Sequence, residues 1–262
     1  MILLTASGSF AEAFKQTCAC EVISARKLND ESLCRAVSNA AVVIHNGALI
    51  DATDDDSAIS NNFDQTRRVM DAVAEFNPSA RFIFLSSMSI LHNDTEYLPP
   101  IEMTSYALSK YFSEIYCLRS AHQNKVIVRF STIFYGNHTK DGLSKLVYDS
   151  VTKNQIEVYD GGRAERDFLP LMVASKYVKK LTEANRPPSP CNLVSGRATS
   201  FSHIVQILTT RFPTLRVVEK GKIDSMPVFA RFSDRDVQAL GIVEFSIEDE
   251  ILRYAKTISA IQ

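Results

Sequence analysis

The chain is short of the features that would take it out of the ordinary globular classes. Twenty-nine basic residues against thirty acidic ones leave a formal net charge of −1. No overall positive field therefore draws in nucleic acid or an anionic membrane, and an anionic ligand has to be caught locally. No apolar run approaches the roughly 20 residues of a membrane-spanning helix. Met1 is followed directly by Ile2, Leu3 and Leu4 with no basic leader, so a cytoplasmic location is expected. The five cysteines (Cys18, Cys20, Cys34, Cys117, Cys191) are odd in number, scattered and without a C-x-x-C pair, which predicts reduced, mostly buried thiols. His45, His92, His122, His138 and His203 show no metal-ligand spacing, and no metal is assigned. Internal repeats and low-complexity segments are missing as well.

With 45% hydrophobic and 23% charged residues, the 262-residue chain can bury a substantial core as one domain with a small lobe. Short apolar runs at 2–5, 21–24, 41–45, 81–86 and 125–130 read as strands covered on both faces. Helical periods lie between them, clearest from about Asn62 to Phe76 and from Thr104 past Leu118. This alternation predicts an α/β fold, a Rossmann-like doubly wound parallel sheet. After Phe130 the rhythm is broken by Gly136, Gly142, Gly161, Gly162, Pro187, Pro188 and Pro190, where small substrate-binding elements are expected. Residues 1–135 thus form most of a nucleotide-binding unit, and 136–262 a small carboxyl-terminal lobe with some elements returning to the core. Ser246 followed by Glu248 and Asp249 reads as the start of a last helix. The acidic cluster Asp51, Asp54, Asp55 and Asp56 precedes a helix, and capping accounts for it without a cation.

Within Thr104-Ser105-Tyr106-Ala107-Leu108-Ser109-Lys110, Tyr106 and Lys110 stand four residues apart and project from one helix face. A tyrosine holds its proton to a pKa of about 10, so acid–base work near neutrality requires a nearby cation, which Lys110 supplies. Such pairs also arise by chance on solvated helix faces, and context has to decide. The strand Phe82 to Leu85 ends in Ser86-Ser87-Met88-Ser89, which puts hydroxyls at the carboxyl end of a parallel strand, where open α/β sheets bind ligands. Taken alone, Ser86 and Ser87 read equally as strand-end caps.

A strand ending in Ser-Ser, a Y-x-x-x-K helix about twenty residues later and an amino-terminal βαβ unit together resemble the extended short-chain dehydrogenase/reductase superfamily, the group of sugar-nucleotide epimerases, dehydratases and reductases. His45-Asn46-Gly47-Ala48, Asn62, Arg166-Asp167-Phe168, Cys191 to Gly196 and Asp234 to Gly241 resemble further motifs of that group, so the likeness runs along essentially the whole chain. The resemblance implies that Tyr106 is the acid/base, that Lys110 lowers its pKa and holds a nicotinamide ribose, and that Ser87 orients the reacting group. Asn46, Gly47, Ala48 and Asn62 then belong to the cofactor site. Met88-Ser89 stands where the dehydratases carry Asp-Glu, which disfavours dehydration.

The cofactor turn departs from the pattern. Thr5-Ala6-Ser7-Gly8-Ser9-Phe10-Ala11 holds one glycine and is one residue short of T-G-x-x-G-x-x-G, with Gly8 and Ala11 at the second and third glycine positions, so weaker cofactor affinity is expected where the usual glycines let backbone N–H groups approach the pyrophosphate. After the second strand, Ser24-Ala25-Arg26-Lys27 replaces the acidic residue that suits NAD, and Arg26 there suits a 2′-phosphate. NADP(H) is thereby expected over NAD(H), the alternative being that Arg26 and Lys27 form a solvated turn. On the substrate side, the resemblance gives Arg166 a diphosphate contact, against a plain salt bridge with Asp167. Arg231 between Phe229 and Phe232 is a second candidate, and Met88, Asn137 and Lys145 lie in the expected substrate region.

The reading that follows is an NADP(H)-dependent oxidoreductase of a nucleotide-linked sugar, first a 4-keto-6-deoxysugar reductase. Its rivals are an NAD-dependent 4-epimerase and, because of the eroded glycine turn, a non-catalytic cofactor or nucleotide sensor. A homodimer built on the helices near 62–76 and 104–118 is expected from the resemblance, with no nucleic-acid or membrane partner.

Overall fold

The structure, a computed structural model, describes residues 1–48, 54–221 and 232–260. In chain order the first half runs β1 (Ile2–Leu4), α1 (Ser9–Lys15), β2 (Glu21–Val22), α2 (Asp30–Ser38), β3 (Val42–His45), α3 (Asp55–Ala58), α4 (Asp64–Phe76), β4 (Arg81–Ser87), α5 (Ser105–Arg119) and β5 (Lys125–Phe130). The second half adds β6 (Thr132–Phe134), α6 (Gly142–Thr152), β7 (Gln155–Tyr159), β8 (Glu165–Pro170), α7 (Leu171–Glu183) and β9 (Cys191–Leu193). It ends with β10 (Ala198–Ser200), α8 (Phe201–Arg211), β11 (Arg216–Lys220), α9 (Arg235–Ala239) and α10 (Ile247–Ser259).

Six strands form one parallel sheet in the order β2-β1-β3-β4-β5-β9. The chain moves outward on one side of β1 to β2 and on the other side to β3, so the strand order reverses between β1 and β3. Ligands of open α/β sheets bind outside the carboxyl ends of strands at such a reversal. The sheet is covered on both faces. Phe82 and Phe84 point toward Val69, Met70 and Val73 of α4, while Ile83 and Leu85 point into the opposite core with Val173, Ala174 and Tyr177 of α7. Each of the buried Phe, Ile, Leu, Val and Met side chains contributes about 1.5–3 kcal/mol by leaving water, which explains why the strands read as continuous apolar runs.

Local capping agrees with the sequence at several ends. The hydroxyls of Thr104 and Ser246 accept from the N–H groups of Ala107 and Asp249, and Asp54 accepts from the Ser57 N–H. Asp51 lies outside the described residues. The helix expected from Asn62 begins as a wider π-helical turn, Ile59–Phe63, before regular α4 starts at Asp64. That extra residue per turn swings Asn62 inward, where it is buried and donates to the Ser109 hydroxyl of α5 at 3.0 Å. The second strand is shorter than its apolar run, because the Ala25 N–H turns to the Thr5 carbonyl and opens a 3-10 turn over Ala25–Lys27.

The remaining strands build a smaller unit beyond the carboxyl edge. β8 pairs with β6 in parallel and with β10 antiparallel, and β7 pairs with β11 in parallel. Its own core gathers Phe134, Leu143, Val147, Ile156, Phe168, Ile204 and Ile251 from α6, α8, α10 and these strands. β9 and α7 return to the main sheet. Among the described residues no helix is long and apolar enough to cross a membrane.

Candidate active site

A cleft of about 470 Å³ opens at the carboxyl ends of β1, β3 and β4, where the strand order reverses. Its floor is the turn Ala6 to Phe10 after β1, flanked by Ser24 to Lys27 after β2 and by His45 to Ala48 after β3. The turn is tied to the neighbouring strand end: the Ala6 N–H donates to Asn46 Oδ1 at 3.1 Å, and Asn46 Nδ2 donates to the Ala6 carbonyl at 3.0 Å. Gly47 eases that closeness, since a Cβ there would stand 3.3 Å from the Ala6 Cβ and the turn would have to shift by a few tenths of an ångström. Gly8 takes φ +146°, with nothing within 4 Å of the place a Cβ would occupy. One glycine therefore keeps the turn open toward the cleft even though the others of the expected pattern are missing.

His45 is buried beneath this floor and bridges two hydroxyls, with Nδ1 2.6 Å from Thr5 Oγ1 and Nε2 3.0 Å from Thr66 Oγ1. Burial first, then the charges of Lys110 and Arg26, holds its pKa down to about 3. It is a neutral structural link between β1, β3 and α4. Arg26 reaches across from the end of β2 to the Asn61 carbonyl at 2.8 Å and Asn62 Oδ1 at 3.3 Å, which holds its guanidinium at the cleft edge.

At the other end of the cleft, Tyr106 and Lys110 rise from one face of α5. Lys110 is almost fully buried, donates to the Leu85 carbonyl at 2.7 Å, and has its Nζ 5.9 Å from the centre of the Tyr106 ring. Burial lowers its pKa to about 8, with the Arg26 charge pushing the same way. The half-buried Tyr106 phenol is pushed well above its ordinary value by burial and by Tyr135, and drawn back by a hydrogen bond with Ser87. Ser87 also meets Ser89, the two hydroxyls lying 2.9 Å apart. Burial outweighs the lowering expected from Lys110, whose ammonium donates to the Leu85 carbonyl, and the phenol's pKa stays raised. Ser86, rather than Ser87, lines the cleft, and its buried hydroxyl has no partner.

Ala6, Ser7, Gly8, Ser9, Phe10, Arg26, Asn46, Gly47, Ala48, Tyr106 and Lys110 therefore share one cleft. Other residues singled out from the sequence lie elsewhere. Met88 is buried in the core beside Ile90 and Leu91, because the short 3-10 turn after β4 rotates it inward, away from any substrate. Asn62 sits behind the cleft and steadies Arg26 and α5. Asn137 folds back on its own loop, Oδ1 accepting from the Thr139 N–H and hydroxyl. Lys145 is paired with Asp149 on α6. Arg166 lies on β8, half-buried, and donates to the Glu165 carbonyl. Asp167 does not pair with it; its carboxylate accepts the N–H groups of Ser195 and Gly196. Arg231 lies outside the described residues.

Gln65, Phe130, Ile133, Tyr135, Lys140 and Leu171 complete the cleft and were not singled out from the sequence. Only the proximity of Tyr135 to a glycine gave any signal; Gln65 and Phe130 come from α4 and β5, and Ile133, Lys140 and Leu171 arrive through the return of the second half of the chain over the first.

The cleft suits a dinucleotide on its own chemistry: an open turn at Gly8, unpartnered buried oxygens at Ser86 Oγ and Gln65 Oε1, and cationic walls. The sequence profile of the NAD dependent epimerase/dehydratase family matches residues 3–171, well over half of the chain. The chain belongs to that family. No curated protein sequence shows significant similarity to this family member. Among solved structures, MoeE5, in complex with UDP-glucuronic acid and NAD, superposes with a TM-score of 0.82 at 17% identity, covering 100% of this chain and 99% of that one. The ADP-L-glycero-D-manno-heptose-6-epimerase of Helicobacter pylori gives 0.82 at 17% identity, covering 99% and 96%. The UDP-glucose 4-epimerase of Thermotoga maritima, with UDP-glucose, gives 0.82 at 14% identity, covering 100% and 99%. At these identities the likeness is one of fold. The protein is an enzyme of the epimerase/dehydratase family with the Rossmann-like architecture described above.

Proposed function

We propose that the chain is an NADP(H)-dependent oxidoreductase of a nucleotide-linked sugar, in the first instance a 4-keto-6-deoxysugar-nucleotide reductase. The observation that carries this reading is the charge of the cleft. Arg26, Lys27, Lys110 and Lys140 line it, and among the described residues no carboxylate does. A site for NAD(H) ordinarily offers an acidic side chain to the ribose diol, whereas an arginine at that place suits a 2′-phosphate, which adds about two negative charges. Support for the nucleotide-sugar substrate comes from the family and from the UDP-sugars held by relatives of the same fold.

A nicotinamide bound in the cleft supplies the hydride. Tyr106 is the proton donor to the carbonyl oxygen of the sugar: burial keeps its phenol protonated at neutral pH, the state that carbonyl reduction requires. Once the proton has left, the Lys110 ammonium 5.9 Å from the ring and the Ser87 hydroxyl stabilise the phenolate. Ser87, hydrogen-bonded to the phenol, orients it and so sets the direction of proton transfer. A 4-epimerase is the second reading, favoured by the epimerases of the same fold; it retains NAD through purification, whereas a reductase releases its cofactor. The exposed ring of Phe112 on α5, packed against Phe63, which in turn meets Tyr116, is assigned to a second copy of the chain. A monomer by sedimentation at micromolar concentration would remove that assignment.

Fluorescence titration with NADPH and NADH tests the main reading. NADPH is expected to bind about tenfold or more tightly than NADH, and Arg26→Ala to erase that preference. Tyr106→Phe is expected to abolish turnover while sparing cofactor binding. Equal affinities for the two cofactors, unaffected by Arg26→Ala, would overturn the NADP(H) assignment, and binding without any turnover on keto-sugar nucleotides would favour a sensor.

A further inference from the structure

The loop between β6 and α6 is braced at most of its residues, and one charged side chain in it, Lys140, has no partner among the described residues. Asp141 accepts the Tyr135 N–H at 2.9 Å, the Ser144 N–H at 2.7 Å and the Ser144 hydroxyl at 2.6 Å. Asn137 closes the turn onto Thr139, and the His138 N–H donates to the Tyr254 hydroxyl of α10 at 3.1 Å. The His138 ring stacks on Tyr148 with 3.8 Å between centroids, so the loop is pinned to α6 as well. Within this frame Tyr135 and Lys140 line the cleft. The Lys140 backbone N–H closes a turn on the Asn137 carbonyl, yet its ammonium has no hydrogen-bond or ion-pair partner among the described residues. A lysine presented by a rigid loop into a cleft whose described lining holds no carboxylate meets no counter-charge there among the described residues.

The opposite wall supplies the reason for it. A dinucleotide's diphosphate is usually held by backbone N–H groups of a glycine-rich turn and by the dipole of the helix that follows. Here the turn keeps Gly8 alone, so side chains stand where the usual glycines let the backbone approach the anion, and the following helix has seven residues. We propose that Lys140 clamps the diphosphate of the bound dinucleotide from the lobe side, taking over charge compensation that the shortened glycine turn no longer provides. The inference rests on the dinucleotide reading of the cleft and deepens it. It separates two roles within the cleft: Arg26 and Lys27 distinguish a phosphorylated from an unphosphorylated ribose, whereas Lys140 recognises what NADPH and NADH have in common.

That division makes the test specific. Affinities of the wild-type protein, Lys140→Met and Lys140→Arg are measured for NADPH, NADH, ADP-ribose, 2′-AMP and UDP by fluorescence or calorimetric titration. Lys140→Met is expected to weaken NADPH, NADH and ADP-ribose by a similar factor of about ten. Binding of 2′-AMP, which lacks the diphosphate, stays as in the wild type, and Lys140→Arg restores most of the loss. Unchanged dinucleotide affinities in Lys140→Met overturn the clamp and leave the cofactor reading standing. A loss confined to UDP assigns Lys140 to the diphosphate of the substrate and equally overturns the proposal. If the wild-type protein binds none of the dinucleotides, the cofactor reading falls and the clamp with it.

Discussion

Lys110 is costly to the fold that carries it. A lysine 3% exposed, whose ammonium makes one hydrogen bond, to a neutral carbonyl, gives up most of its hydration. Its pKa falls from 10.5 to about 8 on folding, so the unfolded chain binds the proton more tightly and the charged form opposes folding. That penalty is fully present below pH 8 and fades as pH rises from about 8 to 10.5. Lys110→Met is therefore expected to raise stability at pH 7 by about 1–3 kcal/mol, allowing for the lost hydrogen bond, while abolishing turnover. Thermal melts at pH 7 and pH 10 check this: the gain shrinks at the higher pH, and a gain independent of pH would mean that the ammonium is not the cause. Tyr106 and Lys110 were legible in the sequence because an i, i+4 pair on a helix fixes a common face regardless of what covers it. Met88 was not, because one 3-10 turn at the end of β4 reverses which neighbours face the cleft. Asn62 was displaced in function in the same way, by a π-helical turn that periodicity does not reveal.

At the scale of elements, α5 has to stay fixed to the sheet for its tyrosine and lysine to stay in place, and a buried pair does this. Glu114 of α5 accepts from Arg129 of β5 at 2.9 and 2.5 Å and from the Tyr97 hydroxyl at 2.8 Å, all through Oε1. Its other oxygen is buried and unpartnered, so part of the gain is offset by desolvation. Glu114→Gln leaves the Arg129 charge buried without a counter-charge and is expected to cost about 3–5 kcal/mol in urea unfolding. The double variant Glu114→Leu with Arg129→Met is expected to lose less than the single one. Additive losses across the pair would show that the two residues act independently. This link escaped the sequence reading because partners 15 residues apart on a helix and a strand carry no periodic signature. β1, β3, β4 and β5 were legible, since strands covered on both faces show as unbroken apolar runs. The strands of the second half were not, because β6 and β10 have three residues each and β7 is exposed on alternate positions.

Over the whole molecule the charges nearly cancel, with a formal net of −1, while the cleft gathers four cationic side chains and no acidic one among the described residues. The attraction for an anionic cofactor is thus local. Lys27 and Lys140 are exposed and Arg26 is largely so, which leaves their attraction open to screening, whose range shrinks from about 10 Å at 0.1 M salt to about 3 Å at 1 M. A ligand with more charge at the Arg26 end loses more affinity as salt rises. Titrations with NADPH and NADH between about 50 and 500 mM sodium chloride are therefore expected to give a steeper fall for NADPH, the gap between the two cofactors narrowing with salt. Arg26→Ala brings the two slopes together, since it removes the contact that only the phosphorylated ribose makes. Parallel slopes in the wild-type protein would mean that the extra phosphate lies in solvent, that Arg26 is held by Asn61 and Asn62 for the fold alone, and that the cationic cleft answers only to the part of the dinucleotide that NADPH and NADH share.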